Sequence, residues 1–265
     1  MTRLRPRTSL RVAVALVALA IGAALMGELS LGWAQGRRRE AQSFAPNVPY
    51  DGRFTFARIR YTVGGDGGFR QDVKWAHDYP RGERHFTKIL SELSTLRVRT
   101  QDSNILALDD PELFKYPVAY LCEAGYWRPS DDEVLGLRNY LLKGGFIIFD
   151  DFADFAQNDW FNFESQMRRV LPNLRPMRLT PEDKVFDAFY GIKDLTYAHP
   201  YYGVPSEFWG IYENNDRSQR LMAVINFNND LSEYWEFSDE GFLPLQASNE
   251  AYKLGVNYLI YALTR

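Results

Sequence analysis

The chain has 265 residues, 46% of them hydrophobic and 15% aromatic, with a formal net charge of −3. That composition can bury a sizeable core, while the weakly negative and interspersed charge offers no basic field for nucleic acid. Cys122 is the only cysteine, which excludes an intramolecular disulfide and leaves stability to the core.

Residues 1–34 read as an address. Arg3, Arg5, Arg7 and Arg11 precede an apolar run from Val12 to Met26, and Gly32-Trp33-Ala34 puts small residues where a signal peptidase inspects the chain. This is a signal peptide or, if uncleaved, an N-terminal membrane anchor. Either way the expected location is outside the cytoplasm, periplasmic or secreted, with contact to the membrane only through that anchor. Residues 35–52 are polar and proline-punctuated, the composition of a linker. One α/β domain is expected over residues 53–265.

Within it, Phe54, Phe56, Ile59 and Tyr61 mark a first strand whose partial alternation fits an edge or half-covered position. The glycines of GGDGG, 64–68, end it. They lack the order of a phosphate-binding loop, so no cofactor is expected. WAHDYP, 75–80, leads into an amphipathic helix through Phe86, Ile89, Leu90, Leu93 and Leu96. Val98–Leu108 reads as a short strand with its turn, Asp110-Pro111 as a brief helical turn, and PVAYL, 117–121, as a buried strand.

The stretch Ser130–Asp151 is the most explicit. Ser130 and Glu133 form a capping box, Val134, Leu137, Leu141 and Leu142 recur at helical spacing, and Gly144-Gly145 stops the helix. Phe146–Phe149 follow without alternation, as in a strand covered on both faces of a parallel sheet. A helix of that length between two such strands makes them parallel neighbours, so Leu121 and Phe149 should end side by side.

Further on, Trp160–Leu171 reads as a helix and Leu174–Leu179 as a strand. Thr180-Pro181-Glu182-Asp183 starts a helix through Phe189. Tyr197–Asn215 reads as an aromatic loop long enough for a lid or binding wall. Leu221–Phe227 is the last clear strand, and Ser248 caps a terminal helix.

Ligands in open α/β sheets sit beyond the carboxyl ends of strands. Asp150 and Asp151 end one strand and Glu123 follows another, so these acids are the catalytic candidates, as a general base or together as ligands of a hard cation. Against this, one acid of an adjacent pair commonly caps a turn, and neighbours on a strand point apart. Asp78, Trp127, Asn229 and Trp235 are the ligand-binding candidates. Asp78 follows the first strand's loop, Asn229 the last strand, and the two tryptophans join Trp209 as aromatic faces of the sort that hold polar ligands. Cys122 lacks the small neighbours of a nucleophile elbow and reads as a small core residue. His77, His85 and His199 form no zinc spacing, so no metal by histidine is expected.

These blocks resemble the bacterial family catalogued as domain of unknown function 4159. FARIRY (56–61), WAHDYP (75–80), DPELFKYPVAYL (110–121), LRNYLLKGGFIIFDDF (137–152), NFNNDLSEYWE (226–236) and LGVNYLIYAL (254–263) occur in its order. The resemblance implies an α/β fold similar to class I glutamine amidotransferases, a three-layer flavodoxin-like arrangement of a mostly parallel sheet with helices on both faces. It implies no activity. Where relatives carry a His-Pro, this chain has Lys184-Val185. The reading is an exported, non-catalytic domain of the cell envelope that binds an envelope protein or small polar ligand. An acid-based or metal-assisted hydrolase and a cell-wall glycan binder are the alternatives.

Overall fold

The parallel pairing expected of the middle strands organises the whole sheet. In the computed structural model, which describes residues 44–63, 73–153, 159–196, 201 and 203–265, the strands are β1 (Phe54–Ile59), β2 (Val98–Leu106), β3 (Val118–Cys122), β4 (Phe146–Phe152), β5 (Met177–Arg178), β6 (Glu207–Tyr212) and β7 (Leu221–Phe227). They form one seven-stranded sheet in the order β2-β1-β3-β4-β7-β6-β5. The pairings from β2 to β7 are parallel, and β6 and β5 close the other edge antiparallel. The helices are α1 (Arg81–Leu93), α2 (Asp131–Leu142), α3 (Asp159–Val170), α4 (Leu231–Glu236) and α5 (Leu245–Thr264). Residues 45–265 make one compact unit. The expected export segment, residues 35–43 of the expected linker, the GGDGG loop with Asp72, and Tyr197, His199 and Tyr202 lie outside the described residues, whereas residues 45–52 of that linker belong to the compact unit. No helix among the described residues is long and apolar enough to cross a membrane.

Strand periodicity sorts the core into two clusters, because successive side chains leave a strand on opposite faces. Leu121, Phe149 and Ile225 pack with Leu137 and Leu141 of α2 and with Phe163 and Met167 of α3. Their neighbours Tyr120, Ile148 and Val224 pack with Phe86 and Leu90 of α1 and with Leu254 and Tyr258 of α5. A sheet buried this way has no alternating polar face, which explains the unbroken apolar run of β4. The Ser130–Glu133 capping box is present in both directions, at 2.8 and 3.2 Å. Leu121 pairs with Phe149 and Cys122 with Asp150, so β3 and β4 end together.

Several elements differ from expectation for identifiable reasons. β1 lies between β2 and β3 rather than at an edge. Its polar Arg58 is tolerated there because Glu83 takes its charge at 2.5 Å and the Trp75 carbonyl accepts at 2.9 Å. The segment after Thr180 makes only a 3-10 turn, Lys184–Asp187. Asp183 accepts from the Tyr212 hydroxyl at 2.8 Å and from Arg217 at 2.5 Å, so its carboxylate serves the sheet side as well as the turn. The strand expected over 174–179 shrinks to Met177–Arg178, and the expected aromatic loop contains β6. Ser248 is buried inside the first turn of α5, which begins at Leu245 after Pro244.

Candidate functional site

At the carboxyl ends of the parallel strands the backbone turns left. Glu123 after β3, Asp151 within the end of β4, Asn228 after β7 and Asp78 before α1 have φ of 51°, 53°, 54° and 62°. Non-glycine residues in this region each cost about 1–3 kcal/mol, and such strain concentrates at functional sites. The turn at Asp151 also breaks the alternation of the strand and separates the environments of the two adjacent acids.

Asp150 faces inward and is structural. One oxygen accepts from Asn226 Nδ2 at 3.0 Å, while the other accepts from the backbone amides of Leu231 at 3.0 Å and Ser232 at 3.2 Å. The Tyr120 hydroxyl shares its one proton between that second oxygen, 2.8 Å away, and Ser232 Oγ at 2.7 Å. Asp150 thus anchors the first turn of α4. Burial raises its pKa to about 7 against the hydrogen bonds that favour its charge.

Asp151 looks the other way. Its Oδ2 stands 3.6 Å from His77 Nδ1 and accepts from the Cys122 thiol at 3.2 Å. The same His77 Nδ1 lies 3.0 Å from Glu123 Oε1, which also receives Lys74 Nζ at 3.2 Å. Deeper in, the Ser232 hydroxyl donates to Asp78 Oδ2 at 2.5 Å, and Asp230 Oδ1 caps α4 by accepting from the amide of Glu233 at 2.9 Å. The groupings His77–Glu123–Asp151, Asp78–Cys122–Asp151 and Asp78–Asp230–Glu233 each bring their ligand atoms within 4.8 Å of one another. Asp151 and Asp78 link the three.

The electrostatics follow from crowding acids in a poorly hydrated place. Burial and the charge of Asp151 raise the pKa values of Asp78, Glu123 and Asp230. Burial and Asp78 push Glu233 up to about 9 and Glu236 to about 7. Asp151 alone is held low: burial opposes its charge, but the hydrogen bond and charge of His77 prevail. His77 is correspondingly raised to about 11, the hydrogen bonds to Asp151 and Glu123 outweighing burial. Such groups titrate as a set.

The candidates therefore separate. Glu123, Asp151 and Asp78 converge on one rim, whereas Asp150 supports it from behind. Asn229 is fully buried at that rim, its backbone bridged to Phe152 and its side-chain oxygen accepting from the Asp230 amide at 2.9 Å; its Nδ2 has no partner among the described residues. Trp127 and Trp235 are core residues, 0% and 1% exposed, and belong to clusters on opposite faces of the sheet, so they line no common groove. Trp127 packs on Phe149 and Trp235 stacks on Phe86. Cys122 is buried and its thiol pKa is pushed up by burial and Asp151, the opposite of an activated nucleophile. His77, Asp230, Glu233 and Lys74 were missed as site residues by sequence reasoning. The signals in the sequence were the position of WAHDYP directly after the first strand's loop, for His77, and that of Asn228-Asn229-Asp230 directly after the last strand, which turn chemistry explains equally well.

These features define an α/β domain with a carboxylate–imidazole cluster at the carboxyl ends of parallel strands. The family model described as domain of unknown function (DUF4159) matches residues 55–263, and the chain belongs to that family. A comparison with curated proteins finds no match.

Proposed function

We propose that the protein is an exported domain of the cell envelope that binds, without chemistry, a small polar ligand carrying positive charge at its strand-end rim. The flavodoxin-like, glutamine amidotransferase-like layout belongs to the same reading, and the run of parallel strands from β2 to β7 is consistent with it. One observation carries the binding reading. Asp78, Glu123, Asp151, Asp230 and Glu233 crowd one rim, where His77 pairs with Glu123 and Asp151, Lys74 with Glu123, and the buried Arg58 acts on Asp78. Buried charges need partners, and an arriving cation would let carboxyls now driven toward their neutral forms ionise.

The test is a thermal-shift panel on the full chain with spermidine, divalent cations, inorganic phosphate and neutral oligosaccharides. A ligand specific to the folded state raises the melting point. Shifts confined to cations and lost in Asp151→Asn support the reading; shifts by phosphate or sugar alone, or none, overturn it. Fractionation of the tagged full chain tests export, which a cytoplasmic pool would refute.

A hydrolytic alternative draws on a specific feature. Glu123 occupies a left-handed turn straight after β3 with His77 3.0 Å from its carboxylate, a pairing suited to general acid–base work. Turnover of chromogenic esters or glycosides that disappears in Glu123→Gln would favour it.

A further inference from the structure

We propose that the rim binds one divalent ion of the zinc or manganese kind, with His77, Glu123 and Asp151 as its protein ligands. This rests on the cation-binding reading above and names the cation. The three residues come from separate segments: the loop before α1, the turn after β3 and the end of β4. Each retains an opening to solvent, with side chains 25%, 13% and 13% exposed, so an ion has a way in.

Geometry carries the argument. Two ligands bound about 2.1 Å from a common ion at a tetrahedral angle stand about 3.4 Å apart. His77 Nδ1 lies 3.0 Å from Glu123 Oε1 and 3.6 Å from Asp151 Oδ2, separations that bracket that value. The two carboxylates lie within 4.8 Å of each other, so closing that third side would let a metal ion take the place of the shared imidazole proton. The donor set decides the type of ion: an imidazole nitrogen with two carboxylates suits zinc or manganese, whereas calcium and magnesium favour oxygen alone. Cys122, whose thiol already touches Asp151, stands behind the site.

Asn229 gives an independent indication. It is fully buried, its side-chain oxygen is committed to the Asp230 amide, and its Nδ2 is unmatched among the described residues. Its backbone bridge to Phe152 sets it one residue from Asp151 along that strand, while Asp230 follows it in sequence. An unmatched buried donor costs about 1–3 kcal/mol, and a water or ligand oxygen brought in with the ion would be an acceptor for it.

Lys74 makes the proposal specific. Its ammonium sits 3.2 Å from the same Glu123 oxygen, where it competes with an incoming ion for that oxygen and repels it. The experiment uses the full chain, stripped with EDTA and dialysed, then titrated calorimetrically with ZnCl2 and, separately, MnCl2. The expected result is one ion per chain, at least tenfold weaker binding in His77→Gln and Asp151→Asn, and tighter binding in Lys74→Gln. Circular dichroism of the metal-free variants checks that they fold, and the Co2+ absorption spectrum of the wild type reports an imidazole–carboxylate environment without any substitution.

No saturable binding by the folded wild type would overturn the proposal. So would binding indifferent to His77→Gln and Asp151→Asn, or lost instead only in Asp230→Asn, which would place the ion in the deeper all-carboxylate group. If metals fail while spermidine still shifts the melting point through Asp151, the cation-binding reading survives and only its metal identity falls.

Discussion

Replacing Asp150 separates an acid that builds the site from acids that act in it. In Asp150→Ala, the backbone amides of Leu231 and Ser232 and the side-chain amide of Asn226 lose their acceptor, while the Tyr120 hydroxyl keeps Ser232. Each buried donor left unmatched costs about 1–3 kcal/mol, and neighbours in one network do not add fully, so the loss is about 3–5 kcal/mol. For domains of about 150–250 residues that corresponds to roughly 6–20 °C in melting temperature. Asp150→Asn should cost less, because its remaining oxygen can still serve the α4 amides. Its new NH2 meets that of Asn226, which cannot flip freely while its own oxygen accepts from Tyr258 at 2.9 Å. Urea melts with an unchanged m value measure both variants. A loss below about 1 kcal/mol in Asp150→Ala, or equal losses in the two variants, would refute the structural assignment.

Glu83→Ala strands the buried guanidinium of Arg58, 1% exposed, and should cost about 3–5 kcal/mol by urea melt; a loss under about 1 kcal/mol would mean that Arg58 finds another partner. Gly136→Ala tests packing against propensity. Alanine gains about 1 kcal/mol in a helix, but its Cβ would stand 2.1 Å from the Leu108 carbonyl oxygen, and overpacking costs about 1–3 kcal/mol or more. A net loss in thermal unfolding is expected, and a stabilised variant would contradict the close approach. In the presence of EDTA, stability should fall from pH 5 to pH 9.5. Asp150, Glu236 and Glu233, with pKa values raised to about 7, about 7 and about 9, hold protons in the folded state that the unfolded chain releases near pH 4. His77, raised to about 11, contributes stability present below about pH 6.5 and lost above it, in the same direction. A melting temperature that rises over this range would show that the carboxyls are not crowded as described.

The framework was legible wherever a local rule and a burial pattern coincided. Ser130, Glu133, the spacing of Leu137 and Leu141, and the apolar Phe146–Phe149 each carry their own physical signature, and together they set two strand ends side by side. The edge placement of β1 failed because the partner of Arg58, Glu83, is on a helix 25 residues on. A charged residue in a strand reads as solvent-facing until its counter-charge is found. β6 was hidden because an antiparallel strand between β7 and β5 draws on tertiary pairing, and its glycine and aromatics resemble loop composition. The division of labour between Asp150 and Asp151 was foreshadowed only as a rule that neighbours diverge. Which acid looks inward depends on α4, and α4 depends on Asp230 accepting from the Glu233 amide.

His77 marks the limit of reading spacing. Metal sites recognised from sequence draw paired ligands from one short segment, so a single imidazole joined to carboxylates of other segments leaves no pattern. What joins them is the equivalence of strand ends: Cys122 pairs with Asp150, which brings Glu123 and Asp151, the next residue of each chain segment, to the same level of the sheet. Both then take up left-handed backbone, and both reach one imidazole nitrogen. Glycine would satisfy either turn at less conformational cost. The presence of acids at these two positions therefore spends backbone energy on placing negative charge, and the packing of the fold alone gives no return for it.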